Sequence, residues 1–591
     1  MFLRSQLRKK DGKEHTYWSV VENKRLLDGR VVQRQVLYLG EVNDSQRAAW
    51  RKTLAAHAPD ADTLRQIALF PHDRPAPTDD DRVVRIRLDE LSLQRPRQWG
   101  GCWLALELYR QLGLDSFFAT QLPASRKGTR WDQILQVLVT QRLLAPGSEW
   151  HLHRDWFERT ALADLLGGDF GLAEIHKLYA TLDQVLPLKE KLFDHLRERW
   201  RDLFGAKYEV LLYDLTSTYF ETNTPEDPAD PRRHGYSRDH RPDCPQVVIA
   251  LVVTPEGFPL AYEVLPGNTA DNTTLAGFLQ KIESRYGKAQ RVWLLDRGIP
   301  TEAVLTQMRA SDPPVNYLVG TPKGALTGLE KELLDRPWET VRAGVQVKLL
   351  PQDGEVYVLA RSAGRVEKER AIRRKKLRRL LARLHELRRQ LPERDKLLMA
   401  LGAAKKEAGR FYALLKITVP AVDQAVTAGR FHFRFDRARL RVVRRREGRY
   451  LLRSNLTGRT PAELWTYYMQ LVQVEEAFKN LKGDLRVRPV YHQKMERIQA
   501  HILVAFLAYT LHVCLRQRLR AAAGGLTPRA VLEKFCAVQM VDVHLPTTDG
   551  REVILTRHTQ PEKELQVLLR QLNLTLPAQP PPKITAAALP V

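Results

Sequence analysis

The chain has 591 residues, of which 43% are apolar, so it is long enough to bury several hydrophobic cores and to form about three or four domains. Its 94 Lys and Arg outnumber 69 Asp and Glu, giving a formal net charge of +25 that favours an acidic partner, nucleic acid before a membrane surface. The four cysteines, Cys102, Cys244, Cys514 and Cys536, form no CxxC pair, which excludes a zinc finger and a disulfide framework and leaves oxygen ligands for any metal.

The N-terminal sequence MFLRSQLRKKDGKEHTYW lacks the apolar core of a signal peptide. No apolar run approaches the roughly 18 to 20 residues that cross a bilayer, so we expect no membrane partner and a cytoplasmic, nucleoid-associated protein. Residues 1–80 alternate short apolar runs with turn signals and predict a small β-rich region.

Residues 81–204 carry a helical pattern after a Pro- and Asp-containing linker at 76–84. Apolar side chains recur every three or four residues over 131–144, and Pro146 and Gly147 break the pattern before a second helical run through His151 and Trp156. This outline is typical of a helix-turn-helix that presents a DNA-reading helix. A plain helical bundle is the alternative interpretation.

Residues 205–310 change to the pattern of a sheet. The predicted strands are 208–214, 246–254, 259–264 and 291–296, with a hairpin turn at Gly257-Phe258-Pro259. Two of these apolar runs end in an acid, Asp214 and Asp296. A strand that ends at an aspartate delivers its carboxylate to the edge of the sheet, where open α/β sheets bind ligands.

Residues 311–455 predict a mostly β insertion, with strand-like runs such as VQVKLL, EVYVLA, FHFRF and RVV. A very basic helix over 366–391 interrupts them, with leucines at heptad spacing: Leu377, Leu380, Leu384, Leu387 and Leu391. We interpret this helix as a packing helix or hairpin with a solvated charged face rather than as a direct DNA contact. Residues 461 to about 520 are predicted to be helical, and 523–591 form a C-terminal region whose Pro-rich tail is expected to be disordered.

The segment 464–485 is the most informative helix. Leu471, Val474, Phe478 and Leu481 form one buried stripe, and along its edge Tyr468, Glu475 and Lys482 are each seven residues apart. Such an alignment lets an acid, a phenol and an ammonium point into one cleft. An ordinary helix ion pair between Glu475 and Lys479, four residues on, is the alternative interpretation.

Asp214, Asp296 and Glu475 together offer only oxygen ligands, which suit Mg²⁺ or Mn²⁺. Carboxylates repel one another unless a cation neutralises them, so a cluster of the three would bind metal. Two such ions can activate a water or a DNA 3′-hydroxyl on one side of a phosphate and stabilise the departing oxygen on the other.

These residues resemble the DDE insertion-sequence transposases that carry a Tyr-Arg-Glu-Lys signature on the helix of the third acid. Tyr468, Glu475 and Lys482 match the signature in register, while Leu471 stands in the position of the arginine. The resemblance spans about 205–520, and its further motifs are YDLTSTYFE, HGYSRDHRPD, LPGNTADNTTL, LLDRGIP, RVRPVYH and MERIQAHILVAFLAY.

The resemblance implies an α/β protein with a ribonuclease H-like mixed-sheet core in two parts, 205–310 and 456–522, interrupted by a β insertion. The separation of 179 positions between Asp296 and Glu475 agrees with an insertion. The three acids are then catalytic and hold two metal ions, and Glu476 is the rival for the third place. The resemblance and the basic charge of nearby side chains together indicate the following contacts with DNA phosphates: Tyr468, Lys479, Lys482, Arg486, Arg488, His234, Tyr236 and Arg238. For His234, Tyr236 and Arg238, an ordinary basic surface loop is the alternative interpretation.

The function expected from this resemblance is transposition of a bacterial-type insertion sequence. The enzyme would bind terminal inverted repeats, cleave at the element ends and join the 3′-hydroxyl ends to target DNA, as a homodimer that pairs two ends. A ribonuclease H-like nuclease without strand transfer and an inactive domesticated DNA-binding derivative are the alternatives. The intact acids and the large accessory regions favour the transposase.

Overall fold

The computed structural model describes residues 1–10, 13–25, 31–44, 46–48, 50–51, 85–125, 128–286, 291–296, 298–321, 328–329, 332–333 and 336–585. The linker predicted at 76–84 lies outside the described residues. Contacts divide the chain into two units. The first unit comprises Met1–Gln6, Thr16–Phe278 and Leu471–Val591, and the second unit comprises Leu7–His15 and Leu279–Gln470.

The elements are numbered in chain order. The strands are β1 Phe2–Lys10, β2 Lys13–Arg25, β3 Val31–Gly40, β4 Ser92–Gln98, β5 Val210–Tyr219, β6 Gln246–Val253, β7 Pro259–Pro266, β8 Val292–Leu295, β9 Asn316–Gly320, β10 Glu339–Arg342, β11 Val345–Gln352, β12 Glu355–Ser362, β13 Leu415–Thr418, β14 His432–Phe435, β15 Arg449–Ser454, β16 Gln539–Pro546, β17 Glu552–His558 and β18 Lys583–Thr585. The α-helices are α1 Gly100–Gln111, α2 Leu114–Gln121, α3 Trp131–Leu144, α4 Glu149–His151, α5 Leu162–Leu166, α6 Ile175–Val185, α7 Lys189–Phe204, α8 Leu275–Tyr286, α9 Glu302–Ala310, α10 Ala363–Gln390, α11 Arg394–Ala408, α12 Arg437–Arg446, α13 Pro461–Gln470, α14 Val472–Lys482, α15 Met495–Ala522, α16 Pro528–Phe535 and α17 Lys563–Gln571.

The helical part of the first unit is built around α3, whose bounds are those expected from the apolar period. Residues 134–143 of α3 are all buried, and the helix packs against α1, α6 and α15. The second helical run, after Pro146 and Gly147, is short and mixed: α4 continues into a π-turn at Leu152–Trp156 and a 3₁₀-turn at Phe157–Arg159. The helix before the turn, α3, therefore belongs to the core, whereas the segment after it consists of short helical turns.

The helix α15 is the centre of the first unit and corrects an expectation from the sequence. It contains an 18-residue window of mean hydropathy 1.7, long and apolar enough to cross a membrane, although we expected no such run. The His, Thr, Tyr and Cys residues between its aliphatic side chains obscured the continuity of the run. Because 94% of that window is buried inside the protein, the helix has the burial of a core element.

Three antiparallel strands, β5, β6 and β7, pack within the same unit. Tyr262 of β7 stacks on Phe506 of α15, with ring centroids 4.2 Å apart. The turn between β6 and β7 contains Gly257 with φ +93°, and an added Cβ there would lie 2.0 Å from a guanidinium nitrogen of Arg516. Glycine is therefore required at this turn both by conformation and by the close approach of α15.

The second unit contains a mixed sheet whose strand order within the unit is β10-β11-β12-β15-β9-β8. Strands β8 and β9 are parallel, and the other neighbours are antiparallel. The predicted insertion at 311–455 thus continues the β8–β9 sheet and is a mixed α/β segment rather than a mostly β one, because α10 and α11 supply 28 and 15 of its residues. The run RVV at 441–443 lies in α12 instead of a strand, since Asp436 caps that helix by accepting a hydrogen bond from the Arg439 backbone at 3.0 Å.

The basic helix α10 packs by its leucines, as the interpretation of a packing helix predicted. Leu380, Leu384 and Leu387 form a buried cluster with Leu397 and Leu401 of α11. The fifth leucine of the heptad pattern, Leu391, lies past the end of the helix, with φ +43° and 38% of its surface exposed.

The C-terminal region forms a sheet of order β18-β17-β16-β4, so it pairs with a strand from the N-terminal half of the chain. A buried ion pair spans two of these strands, with Arg97 donating to both carboxylate oxygens of Asp542 at 2.9 and 3.0 Å. The Pro-rich tail is expected to be disordered, but in its described part β18 pairs with β17, and Pro577 and Pro580 accept hydrogen bonds from residues of β17.

The packing role of α10 is testable by substitution. Leu384→Ala removes a fully buried side chain and is expected to lower the free energy of unfolding by about 2–5 kcal/mol. Arg378→Ala, at an exposed position of the same helix, is the matched control and should leave thermal denaturation nearly unchanged. Equal melting temperatures for the two variants would contradict the packing role.

Candidate active site

Asp214 lies in the middle of β5 and not at a strand end, which corrects the expectation from the sequence. The strand continues to Tyr219 because Leu215–Tyr219 stay paired with β6, in a register that sets Asp214 opposite Leu251. The residues that follow, Leu215–Thr218, are buried, so the acid interrupts a buried run without ending it. The Asp214 side chain is half-buried, and its Oδ1 accepts a hydrogen bond from the Leu215 backbone at 2.8 Å.

Asp296 occupies the position expected for it. All four residues of β8 are buried, and Asp296 follows the strand directly as an exposed residue. It belongs to the second unit, whereas Asp214 belongs to the first.

Glu475 lies on α14, which packs against β5 and β6. The predicted buried stripe is present, since Leu471, Val474, Phe478 and Leu481 are all buried while Glu475 is exposed. Asp214 and Glu475 are therefore carried by two elements of the first unit that pack on each other.

The helix predicted over 464–485 is interrupted. α13 ends at Gln470 and α14 begins at Val472, so Tyr468 lies on α13 in the second unit and Glu475 on α14 in the first. Leu471 between them keeps helical angles, φ −56° and ψ −25°, and for this reason the apolar period continues across the interruption and predicted a single helix.

Glu476, the rival for the third acid, is engaged elsewhere. Its Oε2 lies 3.0 Å from Nη1 of Arg516, a residue whose side chain is 6% exposed. Arg516 also donates to the Glu256 backbone carbonyl at 2.7 Å, next to the Gly257 turn. This ion pair joins Glu476, whose side chain is 38% exposed, to a buried arginine of α15.

A buried carboxylate that sequence reasoning missed, Asp239, holds two of the predicted DNA-binding cations. Lys482 Nζ donates to Asp239 Oδ1 at 2.7 Å, and Arg488 forms an ion pair with the same oxygen. The Asp239 side chain is only 3% exposed. Its position inside the HGYSRDHRPD motif was the available signal. Burial lowers the pKa of Lys482, opposed by Asp239 and reinforced by the charges of Arg488 and Arg238.

The other predicted DNA contacts have varied surroundings. Arg238 forms an ion pair with Asp271, and its guanidinium lies 5.9 Å from the ring of Tyr236, which is 82% exposed. His234 Nε2 lies 2.7 Å from the Thr224 hydroxyl. Lys479 and Arg486 are exposed. The ring of Tyr468 packs against Tyr450 and Trp465 at centroid distances of 5.3 and 5.4 Å within the second unit.

The role of Asp239 gives a stability prediction. Asp239→Asn keeps the shape of the side chain but leaves Lys482 and Arg488 without their shared anion, and we expect it to lower the free energy of unfolding by about 1–3 kcal/mol. Asp243→Asn, which changes a mostly exposed carboxylate paired with Arg241, is the control. Chemical denaturation of both variants measures the difference, and an unchanged Asp239→Asn midpoint would contradict the role.

Comparison with protein families gives two matches. The family described as "Transposase DDE domain" matches residues 205–511, more than half of the chain, and the family described as "IS1634 family transposase, N-terminal domain" matches residues 3–65. Comparison with curated proteins finds no match.

Among solved structures, the chain is similar to the piggyBac transposase in a synaptic complex with hairpin DNA. The identity is 8%, the TM-score is 0.35, and the match covers 76% of this chain and 82% of that one.

The DDE match spans the strand that carries Asp214, the strand end at Asp296 and the helix that carries Glu475. The N-terminal match indicates that the protein is a transposase of an insertion sequence. The chain therefore belongs to the DDE transposase family and is an insertion-sequence transposase, a metal-dependent enzyme of DNA cleavage and strand transfer.

Proposed function

We propose that Asp214, Asp296 and Glu475 converge on a common pair of divalent ions in a ribonuclease H-like core. The observation that carries this proposal is that Glu475 lies on a helix that packs on the strand of Asp214. A ribonuclease H-like sheet contains both antiparallel and parallel neighbours. Here β5, β6 and β7 pair antiparallel, and β8 and β9 pair parallel. In chain order, Asp214 lies on the first of these strands and Asp296 follows the fourth.

The donor set fits Mg²⁺ or Mn²⁺, because three carboxylates supply oxygen ligands only. Bound ions of this kind supply activation of a water or a 3′-hydroxyl and stabilisation of the leaving oxygen. Asp214 is half-buried, and Asp296 and Glu475 are exposed. Ions held by these three residues would therefore be within reach of a DNA phosphate. The same three acids then serve cleavage at the element ends and joining of the 3′-hydroxyl to target DNA, since both are displacements at phosphorus.

The basic side chains of α14 and of the segment after it grip the phosphates of the terminal inverted repeat. Lys479 and Arg486 are exposed, and Asp239 holds Lys482 and Arg488 in fixed positions before DNA arrives. Such preorganisation reduces the side-chain entropy lost on binding. Tyr468, His234, Tyr236 and Arg238 complete the proposed contacts. Leu471 stands where the signature has an arginine, and Arg486, Arg488 and Lys479 are the candidates to take over the role of that arginine.

We further propose that the enzyme acts in the cytoplasm at the nucleoid, as a homodimer that pairs two transposon ends. Its partners are then the terminal inverted repeats and the target DNA. The six segments expected from the sequence, 1–80, 81–204, 205–310, 311–455, 456–522 and 523–591, remain our proposal for its domain organisation, with the helical turn near Pro146 as a candidate contact with the repeats.

Substitution of the acids tests the proposed chemistry. Asp214→Asn, Asp296→Asn and Glu475→Gln should each retain binding to a DNA end while slowing Mg²⁺-dependent cleavage by more than about 100-fold. Glu476→Gln is the matched control. It removes the partner of Arg516 and should lower thermal stability while cleavage by the folded protein persists. Loss of cleavage in Glu476→Gln, together with retention in Glu475→Gln, would reverse the assignment.

The salt dependence of DNA binding tests the phosphate contacts. The slope of log K against log salt should approach about −0.9 for each phosphate contacted, and Lys479→Ala should reduce the slope by about one contact. Lys375→Ala, an exposed lysine on the packing helix α10, should leave the slope unchanged. A slope near zero for the wild-type protein would contradict a phosphate-dominated interface.

A further inference from the structure

A second group of metal-ligand side chains lies in the first unit, apart from the three acids. It consists of Glu149 in α4, His492 in the segment before α15, and His501 within α15. Glu149 Oε1 lies 3.2 Å from His492 Nε2 and 3.5 Å from His501 Nδ1, and the three ligand atoms all lie within 4.8 Å of one another. All three side chains are buried, with 7%, 8% and 5% of their surfaces exposed.

Two of the spacings between these atoms, those from Glu149 to each histidine, are close to the spacing of ligands around one small ion. Histidine nitrogens and carboxylate oxygens bind Zn²⁺ at about 2.0–2.2 Å, and at a tetrahedral angle two such ligands lie about 3.3–3.5 Å apart. The two oxygen-to-nitrogen distances of the cluster fall close to this range. Ordinary hydrogen bonds explain the contact at 3.2 Å, but 3.5 Å is long for a buried, charge-assisted one.

The surroundings of the cluster are incompletely satisfied. Arg142 Nη2 lies 3.3 Å from His501 Nδ1, so in the cation-free state a guanidinium competes for that nitrogen. Among the residues that the structure describes, His501 Nε2 and Arg142 Nε are buried without a hydrogen-bond partner. A cavity of about 510 Å³ borders the cluster and gives room for a solvent molecule as the fourth ligand.

We propose that Glu149, His492 and His501 bind one divalent transition-metal ion of the Zn²⁺ type, separate from the catalytic ions. Two imidazoles and one carboxylate select such a borderline ion over Mg²⁺, which prefers oxygen ligands. Binding moves His501 Nδ1 from Arg142 to the ion. The ion then ties α4, just after the turn at Pro146, to the start of α15 and to the segment that carries Arg486 and Arg488. Such a site would use nitrogen as well as oxygen ligands, unlike the oxygen-only set expected from the sequence.

Cobalt binding tests this site without reference to activity. The full chain carrying Asp214→Asn, which disables the proposed catalytic site, is stripped with chelator and titrated with Co²⁺ while visible absorption and metal content are measured. We expect one equivalent per chain with the absorption of a tetrahedral nitrogen and oxygen site, displaced by Zn²⁺ and accompanied by a higher melting temperature.

Three further variants decide the ligands. His492→Ala, His501→Ala and the near-isosteric Glu149→Gln, each made in the Asp214→Asn protein, should weaken Co²⁺ binding by more than about 100-fold. His544→Ala is the matched control, because that histidine pairs with Glu552 in the C-terminal sheet and should leave binding intact. Circular dichroism verifies that each variant is folded, and Glu149→Gln preserves packing where an alanine does not.

Absence of stoichiometric binding in the parent protein, or equal binding in the three ligand variants, would overturn the proposal and leave the cluster as a hydrogen-bonded network around Arg142. Failure of this experiment leaves the transposase mechanism untouched. Conversely, cobalt binding in the Asp214→Asn background does not depend on that mechanism.

Discussion

The packing of α14 against β5 and β6 is the interaction on which the proposed chemistry depends. It buries Leu471, Val474, Phe478 and Leu481 and leaves the intervening Glu475 exposed, on a helix supported by the strand that carries Asp214. The position of α14 depends in turn on the buried helix α15. Arg516 of α15 forms an ion pair with Glu476 of α14 and donates a hydrogen bond to the backbone carbonyl of Glu256. The core helix α15 therefore holds Glu476 through an ion pair, while Glu475 is the glutamate that we propose to bind metal.

Charge in this protein is organised by burial as well as by number. The net charge of +25 supplies attraction to DNA, but the cations nearest the proposed site are partly held by carboxylates within the chain. Asp239 keeps Lys482 and Arg488 together, and the charge that remains on the pair is positive. An exposed surface of free lysines would attract DNA equally well but would lose more side-chain freedom on binding. Burial lowers the pKa of the Arg142 guanidinium, and the negative charge of Glu149 opposes that effect.

Much of the local structure was predictable, because apolar periodicity and spacing are local properties of the sequence. The bounds of α3, the buried stripe of α14, the strand end at Asp296 and the packing leucines of α10 follow from it. The continuation of β5 past Asp214 did not, because pairing with β6 keeps a strand extended through a polar residue. The break at Leu471 was hidden since the apolar period runs across it. Asp239 and the Glu149 cluster depend on residues that the fold brings together, His492 being 343 positions from Glu149.

We propose that Asp214, Asp296 and Glu475 share bound metal, although the chain carries them on different elements. Iron-mediated cleavage of the polypeptide is the sharpest test, because Fe²⁺ held in an oxygen-ligand site reduces added hydrogen peroxide to hydroxyl radicals, with ascorbate restoring Fe²⁺, and these radicals cut only the nearby backbone. With Fe²⁺ in place of Mg²⁺, the account predicts cuts near residues 214, 296 and 475 together, all lost in the Asp214→Asn protein. Cuts near 214 and 475 with residue 296 untouched, in the presence or absence of a DNA end, would contradict it.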